Sequence, residues 1–109
     1  MAQFDVHRNQ GALRDSVPFV VLVQSAQFDR YRRRVVVPLV RQALLPQGSF
    51  SAGARMNPVF VIDGIRVVLH PLDMVSVAQD RLGEVVGSLA QEGQAIADAM
   101  DELLTRSWG

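Results

Sequence analysis

Two histidines, His7 and His70, are the side chains in this 109-residue sequence suited to moving protons near neutral pH. Each lies at the end of a β-rich run. With arginines nearby to stabilise a phosphorane, the pair would have the parts of a general acid and base acting on RNA. Two histidines far apart in sequence are also an ordinary occurrence, so this chemistry depends wholly on whether the fold brings them together. No other catalytic constellation stands out. Ser25, Ser49 and Ser76 lack a nucleophile-elbow context, and Asp73 and Asp80 have no metal-ligand spacing with either histidine. There is no cysteine, which removes thiolate ligands, disulfides and a thiol nucleophile. The expectation is therefore no catalytic residue, no metal and no cofactor.

Two further features concern binding. The run Arg30-Tyr31-Arg32-Arg33-Arg34 interleaves an aromatic ring with guanidinium groups, a pattern that grips phosphates or stacks on bases. It is too short to specify nucleic acid, and it reads as a solvated loop or a docking site for an acidic peptide. The chain's one tryptophan, Trp108, stands next to last, before Gly109. Chain ends are usually polar, whereas tryptophan is enriched where proteins dock.

The elements that must position these residues can be read from periodicity. Residues 3–7 alternate polar and apolar as a half-buried strand, and residues 8–16 form a polar loop. Residues 18–25 (PFVVLVQS) read as a central strand covered on both faces. Residues 26–32 break that run. A third strand spans 33–39, with Pro38 marking its end or an edge. Residues 40–57 read as a long loop. Asp63-Gly64 joins two β-rich runs across 59–69 as a type I′ hairpin. A short strand covers 73–77. Residues 88–107 read as a helix with an apolar stripe through Leu89, Ile96, Met100 and Leu103, opened by a Ser88/Gln91 capping box. This layout predicts an α+β chain of antiparallel strands curling into a small barrel, with one C-terminal helix.

Length and composition make residues 1–109 a single domain with a modest core, one that oligomerisation would help to complete. Nearly half of the residues are hydrophobic and a fifth are charged, which excludes global disorder. No window approaches a membrane span and no signal peptide is visible, so a cytoplasmic protein with no membrane contact is expected. Net charge is zero, which argues against a general polyanion binder, but the charge is segregated. Residues 1–60 hold eight arginines against three aspartates, and the remainder holds three arginines against eight acids. There is no lysine, a pattern that a coding bias towards arginine explains equally well.

Taken in order, these segments resemble the CcdB-type toxins of toxin–antitoxin modules. The resemblance is carried by Met1, Gln3-Phe4 and Val6, by Phe19 through Val23-Gln24-Ser25, and by Arg33-Arg34 with Val36 and Pro38-Leu39. It continues through Leu44-Leu45, Pro58-Val59, Ile62, Asp73-Met74, Ser76-Val77, Gly83-Glu84 and Leu89, and ends on a helix closed by Trp-Gly. The family implies an SH3-like barrel with a minor sheet and a C-terminal helix, working as a homodimer. It implies a toxin that is not an enzyme, binds the A subunit of DNA gyrase and traps the gyrase–DNA cleavage complex. DNA would be met only through gyrase or the antitoxin.

Residue by residue, the resemblance assigns gyrase contact to Trp108 and Gly109, with Gln27, Phe28, Asp29, Asp101 and Phe4 flanking them. Met100, Leu104 and Trp108 fall at the dimer interface. An acidic tail of a cognate antitoxin of CcdA type would meet Arg8, Arg14, Arg41 and Arg55. Familiar members end Trp-Gly-Ile, carry aliphatic residues where this chain has Gln27-Phe28, and commonly hold Asn at the position of Asp101. Two alternatives accompany this reading: a ribonuclease toxin of the same fold, and a non-toxic co-repressor that binds the antitoxin.

Overall fold

The computed structural model describes residues 1–45 and 52–105. Seven strands form one antiparallel sheet: β1 (Asp5–Arg8), β2 (Phe19–Leu22), β3 (Arg33–Arg41), β4 (Val59–Ile62), β5 (Ile65–Leu69), β6 (Val75–Ala78) and β7 (Val85–Ser88). Their order is β4-β5-β3-β2-β1-β7, with β6 paired to the first half of β3. One helix, α1 (Gly93–Leu104), follows. The expected curled sheet with a minor strand and a C-terminal helix is what forms.

β2 is central, as its β-branched composition predicts, lying between β1 and β3. Phe19, Val21 and Leu22 are fully buried, so both of its faces are covered. The hairpin also forms as read. Asp63 and Gly64 both take positive φ (53° and 78°), and Ile62 faces Ile65 across the turn. Only these left-handed values match the right-handed twist of the two strands, and Asp-Gly reaches them at low cost.

Four expectations change. β3 runs through Pro38 to Arg41 rather than ending at Leu39. The missing N–H of Pro38 costs the sheet little, because it sits where the neighbour on that side changes from β6 to β5. Pro38 still uses its carbonyl, which accepts from His70 N–H at 3.1 Å. The expected loop over 40–57 accordingly begins with the last residues of this strand and a 3-10 turn over Gln42–Leu44.

The helix starts at Gly93, not Ser88. Residues 85–88 form β7 instead, whose pairing with β1 closes this side of the sheet. Ser88 does not form a capping box. Its hydroxyl accepts from Ala90 N–H at 3.1 Å, two residues on, at the entry to a 3-10 turn over Ala90–Glu92. Stripe residues fit helix and strand alike over so short a stretch, and the glycines at 83 and 87 favour the extended form.

The core lies between α1 and one face of the sheet. Val6, Phe19, Val21, Val37, Leu39, Val67 and Leu69 meet Leu89, Ile96 and Ala99 there. Phe4 locks the start of the chain onto this core from a left-handed backbone (φ 70°). Its N–H donates to Leu22 O at 2.7 Å and its carbonyl accepts from Leu89 N–H at 2.9 Å. Its ring presses so closely on Gly93 that a methyl group there would come within 2.6 Å of it. No helix among the described residues is long and apolar enough to cross a membrane.

Candidate functional site

The loop between β2 and β3 is the most elaborately supported surface segment. Ser25–Asp29 leaves β2 and makes one 3-10 turn over Ala26–Phe28, with Gln27 exposed and Phe28 half-buried. Under it lies Arg34, which is fully buried. Arg34 Nη1 donates to Asp29 Oδ1 at 2.7 Å, Nε to Gln24 Oε1 at 3.2 Å, and Nη2 to the Ser25 carbonyl at 3.3 Å. Gln24 Oε1 also accepts from Val35 N–H at 3.0 Å, which fixes its orientation. The other carboxylate oxygen of Asp29 takes the Met1 ammonium at 2.9 Å. That hydrogen bond, then the one from Arg34 and the charge of both cations, outweighs partial burial and holds the Asp29 carboxyl below the usual range.

Arg34 thus departs from the exposed basic cluster read in the sequence. A buried guanidinium is tolerated only when its donors are met, and here the acceptors come from residues 24–29. The rest of the run behaves as expected. Tyr31 is 57% exposed, its ring 5.9 Å from Phe28. Arg30, Arg32 and Arg33 are exposed, and Arg33 donates to the hydroxyl and carbonyl of Ser76. Among the described residues none of these three, nor Arg81, lies within ion-pair distance of a carboxylate. Arg32, Arg33 and Arg81 line one groove of about 650 Å³.

The arginines expected to face an antitoxin are more engaged and more scattered. Arg8 pairs with Glu84 at 3.0 Å, and Arg55 lies 3.6 Å from Asp98 and 3.4 Å from Glu102 on α1. Arg41 donates to Asp15 O and Arg14 to Gly11 O. Arg8 lines a largely apolar cavity of about 340 Å³ floored by Val20, Val36 and Pro38, whereas Arg55 lines a different groove beside Leu72 and Leu103. Arg8 and Arg55 therefore belong to different grooves. Linear charge segregation missed the Arg32–Arg33–Arg81 groove because Arg81 belongs to the acidic half of the sequence.

Near the end of α1, Asp101 accepts the Thr105 hydroxyl on its side chain and carbonyl, closing the last turn of the helix. Met100 packs against the core, while Leu104 is 63% exposed beside the helix end. Trp108 and Gly109 lie outside the described residues. Asp29 is tied to Met1, three residues before Phe4. Asp101 stands two helical turns from the Phe4–Gly93 contact, roughly 12 Å along the axis.

The histidines are not brought together. His7 pairs with Val20, Val20 with Pro38, and Pro38 receives the His70 amide, which puts three strand spacings, roughly 14 Å, between them. His7 is buried, and its Nδ1 lies 2.9 Å from the Gly83 carbonyl. A carbonyl can only accept, so the proton is on Nδ1, and the buried Nε2 has no described partner. His70 Nδ1 lies 2.8 Å from Asp73 Oδ2 at the surface. One phosphate cannot touch both rings.

This curled antiparallel sheet with its C-terminal helix is an α+β half-barrel. It is similar to Mycobacterium tuberculosis toxin MazF-mt6, with a TM-score of 0.71 over 95% of this chain and 99% of that one, at 16% identity, which speaks for the fold alone. The chain belongs to the CcdB family: the family model for CcdB protein matches residues 3–106. That membership makes it the toxin type of a toxin–antitoxin module. No curated protein matches it in sequence.

Proposed function

We propose that this chain is a toxin that binds the A subunit of DNA gyrase and traps the gyrase–DNA cleavage complex. The observation that carries the reading is the family match across residues 3–106, within which Gln27 is exposed on the 3-10 turn Ala26–Phe28 that Asp29 follows. In this reading the turn and Phe4 flank the principal contact, made by Trp108 and Gly109. A flat ring suits stacking on a partner guanidinium, worth about 1–2 kcal/mol once desolvated. The toxin acts as a homodimer, so that its two-fold axis matches that of the gyrase dimer. Exposed Leu72 and Leu104 flank the end of α1, and a second copy would cover such apolar surface. A cognate antitoxin neutralises the toxin, its acidic tail drawn by Arg32, Arg33 and Arg81 in their shared groove.

The test is to incubate purified protein with gyrase, ATP and supercoiled plasmid. Linear DNA should accumulate after denaturing the enzyme, and removal of Trp108-Gly109 should abolish it. Linear DNA that survives the truncation would sink the proposed contact. RNA cleavage by the pure protein without any effect on gyrase would point instead to a ribonuclease. Loss of neither DNA nor RNA would leave a non-toxic antitoxin-binding role.

A further inference from the structure

The donors of Arg34 have an uneven distribution that stability alone does not explain. A buried guanidinium is costly to desolvate, and apolar side chains of similar volume often stabilise a core as well or better. Here the side-chain donors reach Gln24, Ser25 and Asp29, so the interaction is spent on the shape of one exposed loop rather than on the sheet. A second clamp holds the same loop from β6's side. The Gln79 amide, oriented with its nitrogen towards the loop, donates to the Asp29 carbonyl at 3.2 Å and the Tyr31 carbonyl at 3.1 Å. Gln79 N–H in turn donates to Arg32 O at 2.7 Å. The turn that carries Gln27 and Phe28 is held from beneath and from one flank.

We infer that Arg34 is a positioning residue for target binding: together with Gln79 it fixes the Ser25–Asp29 loop, in the unbound protein, in the conformation that docks on gyrase. The inference rests on the gyrase reading above. Its physical basis is preorganisation. A loop ordered beforehand does not lose that freedom on association, so more of the contact energy appears as affinity. Arg34 touches no target atom. It acts through Asp29 and Ser25, and its planar fork with fixed donor directions is not reproduced by lysine.

The experiment compares wild type, Arg34→Lys and Gln79→Ala by amide hydrogen exchange, and by calorimetric binding to the isolated dimerisation region of the gyrase A subunit. Both variants should keep native protection in β2 and β3. Exchange at residues 26–31 should quicken and Kd should rise, each by about tenfold for Arg34→Lys and less for Gln79→Ala. Gln27→Ala, which removes a contact, should weaken binding without changing loop exchange. In the Arg34→Lys background it should cost less than in wild type, because the two act on one step.

Unchanged loop exchange in the folded variants overturns the inference, as does faster exchange with wild-type Kd. If Arg34→Lys fails to fold, Gln79→Ala carries the same test from the protein surface. Failure of the gyrase reading is separately visible: wild type itself would then not bind the gyrase fragment, and the inference would fall with its premise.

Discussion

At the scale of single residues, Asp29 joins the start of the chain to β3 through two cations on its two oxygens. Its depressed native pKa sets the sign of a pH effect. An aspartate ionises near pH 4 in an unfolded chain and lower here, so its contribution is complete above the unfolded value and disappears as pH falls through the native one. Asp29→Asn should therefore be less stable than wild type at pH 7 by denaturant unfolding. The gap should close as the pH is lowered from about 5 towards 2. A gap that persisted unchanged at low pH would mean the carboxylate charge contributes nothing. Arg34 shows where reading a sequence stops at this scale. Alternation along β3 tells that Arg33 and Arg34 face opposite ways, but not which one goes in. That choice depends on Gln24, Ser25 and Asp29, whose acceptors converge only after the loop has folded back.

At the scale of elements, the junction of Phe4 with α1 makes a sharp packing prediction. Gly93→Ala places a methyl 2.6 Å from the Phe4 ring. The ring has little room to retreat because its backbone is held in a left-handed conformation by bonds to Leu22 and Leu89. The substitution should cost about 1–3 kcal/mol, typical of overpacking, read as a lower midpoint in urea. Adding Phe4→Leu should recover part of the loss, whereas independent effects would simply add. The central strand and the Asp63-Gly64 hairpin were legible in advance because burial on two faces and paired positive φ leave local marks. β7 was not, because VVGS carries no alternation and earns its place only by pairing with β1, some eighty residues earlier. Of the candidate site, the break in the strand pattern over residues 26–32 was legible, but the burial of Arg34 beneath that loop was not. The separation of Arg8 from Arg55 was hidden, since charge counted along a chain says nothing about which strands become neighbours.

At the scale of the whole molecule, the exposed apolar side chains near the end of α1 bear on assembly. Leu72 and Leu104 are each more than 60% exposed, and Leu72 and Leu103 line the same groove. If a second copy covers them, sedimentation should show a dimer for wild type and a monomer for Leu104→Glu, with folding retained because Leu104 lies outside the core. A wild-type monomer at tens of micromolar would remove the two-fold matching proposed for gyrase. The pairing of β1 with β7, and of Phe4 with Leu89 and Gly93, has a kinetic consequence as well. The sheet cannot acquire its last strand, nor Phe4 its seat, until nearly the whole chain has left the ribosome. At about 5–20 residues per second this takes roughly 5 to 20 seconds. Such long-range pairing also places refolding in the slow range, milliseconds to seconds. The nascent chain can pair β1 with β2 early, but it completes the sheet and the seat of Phe4 only once β7 and Gly93 have emerged.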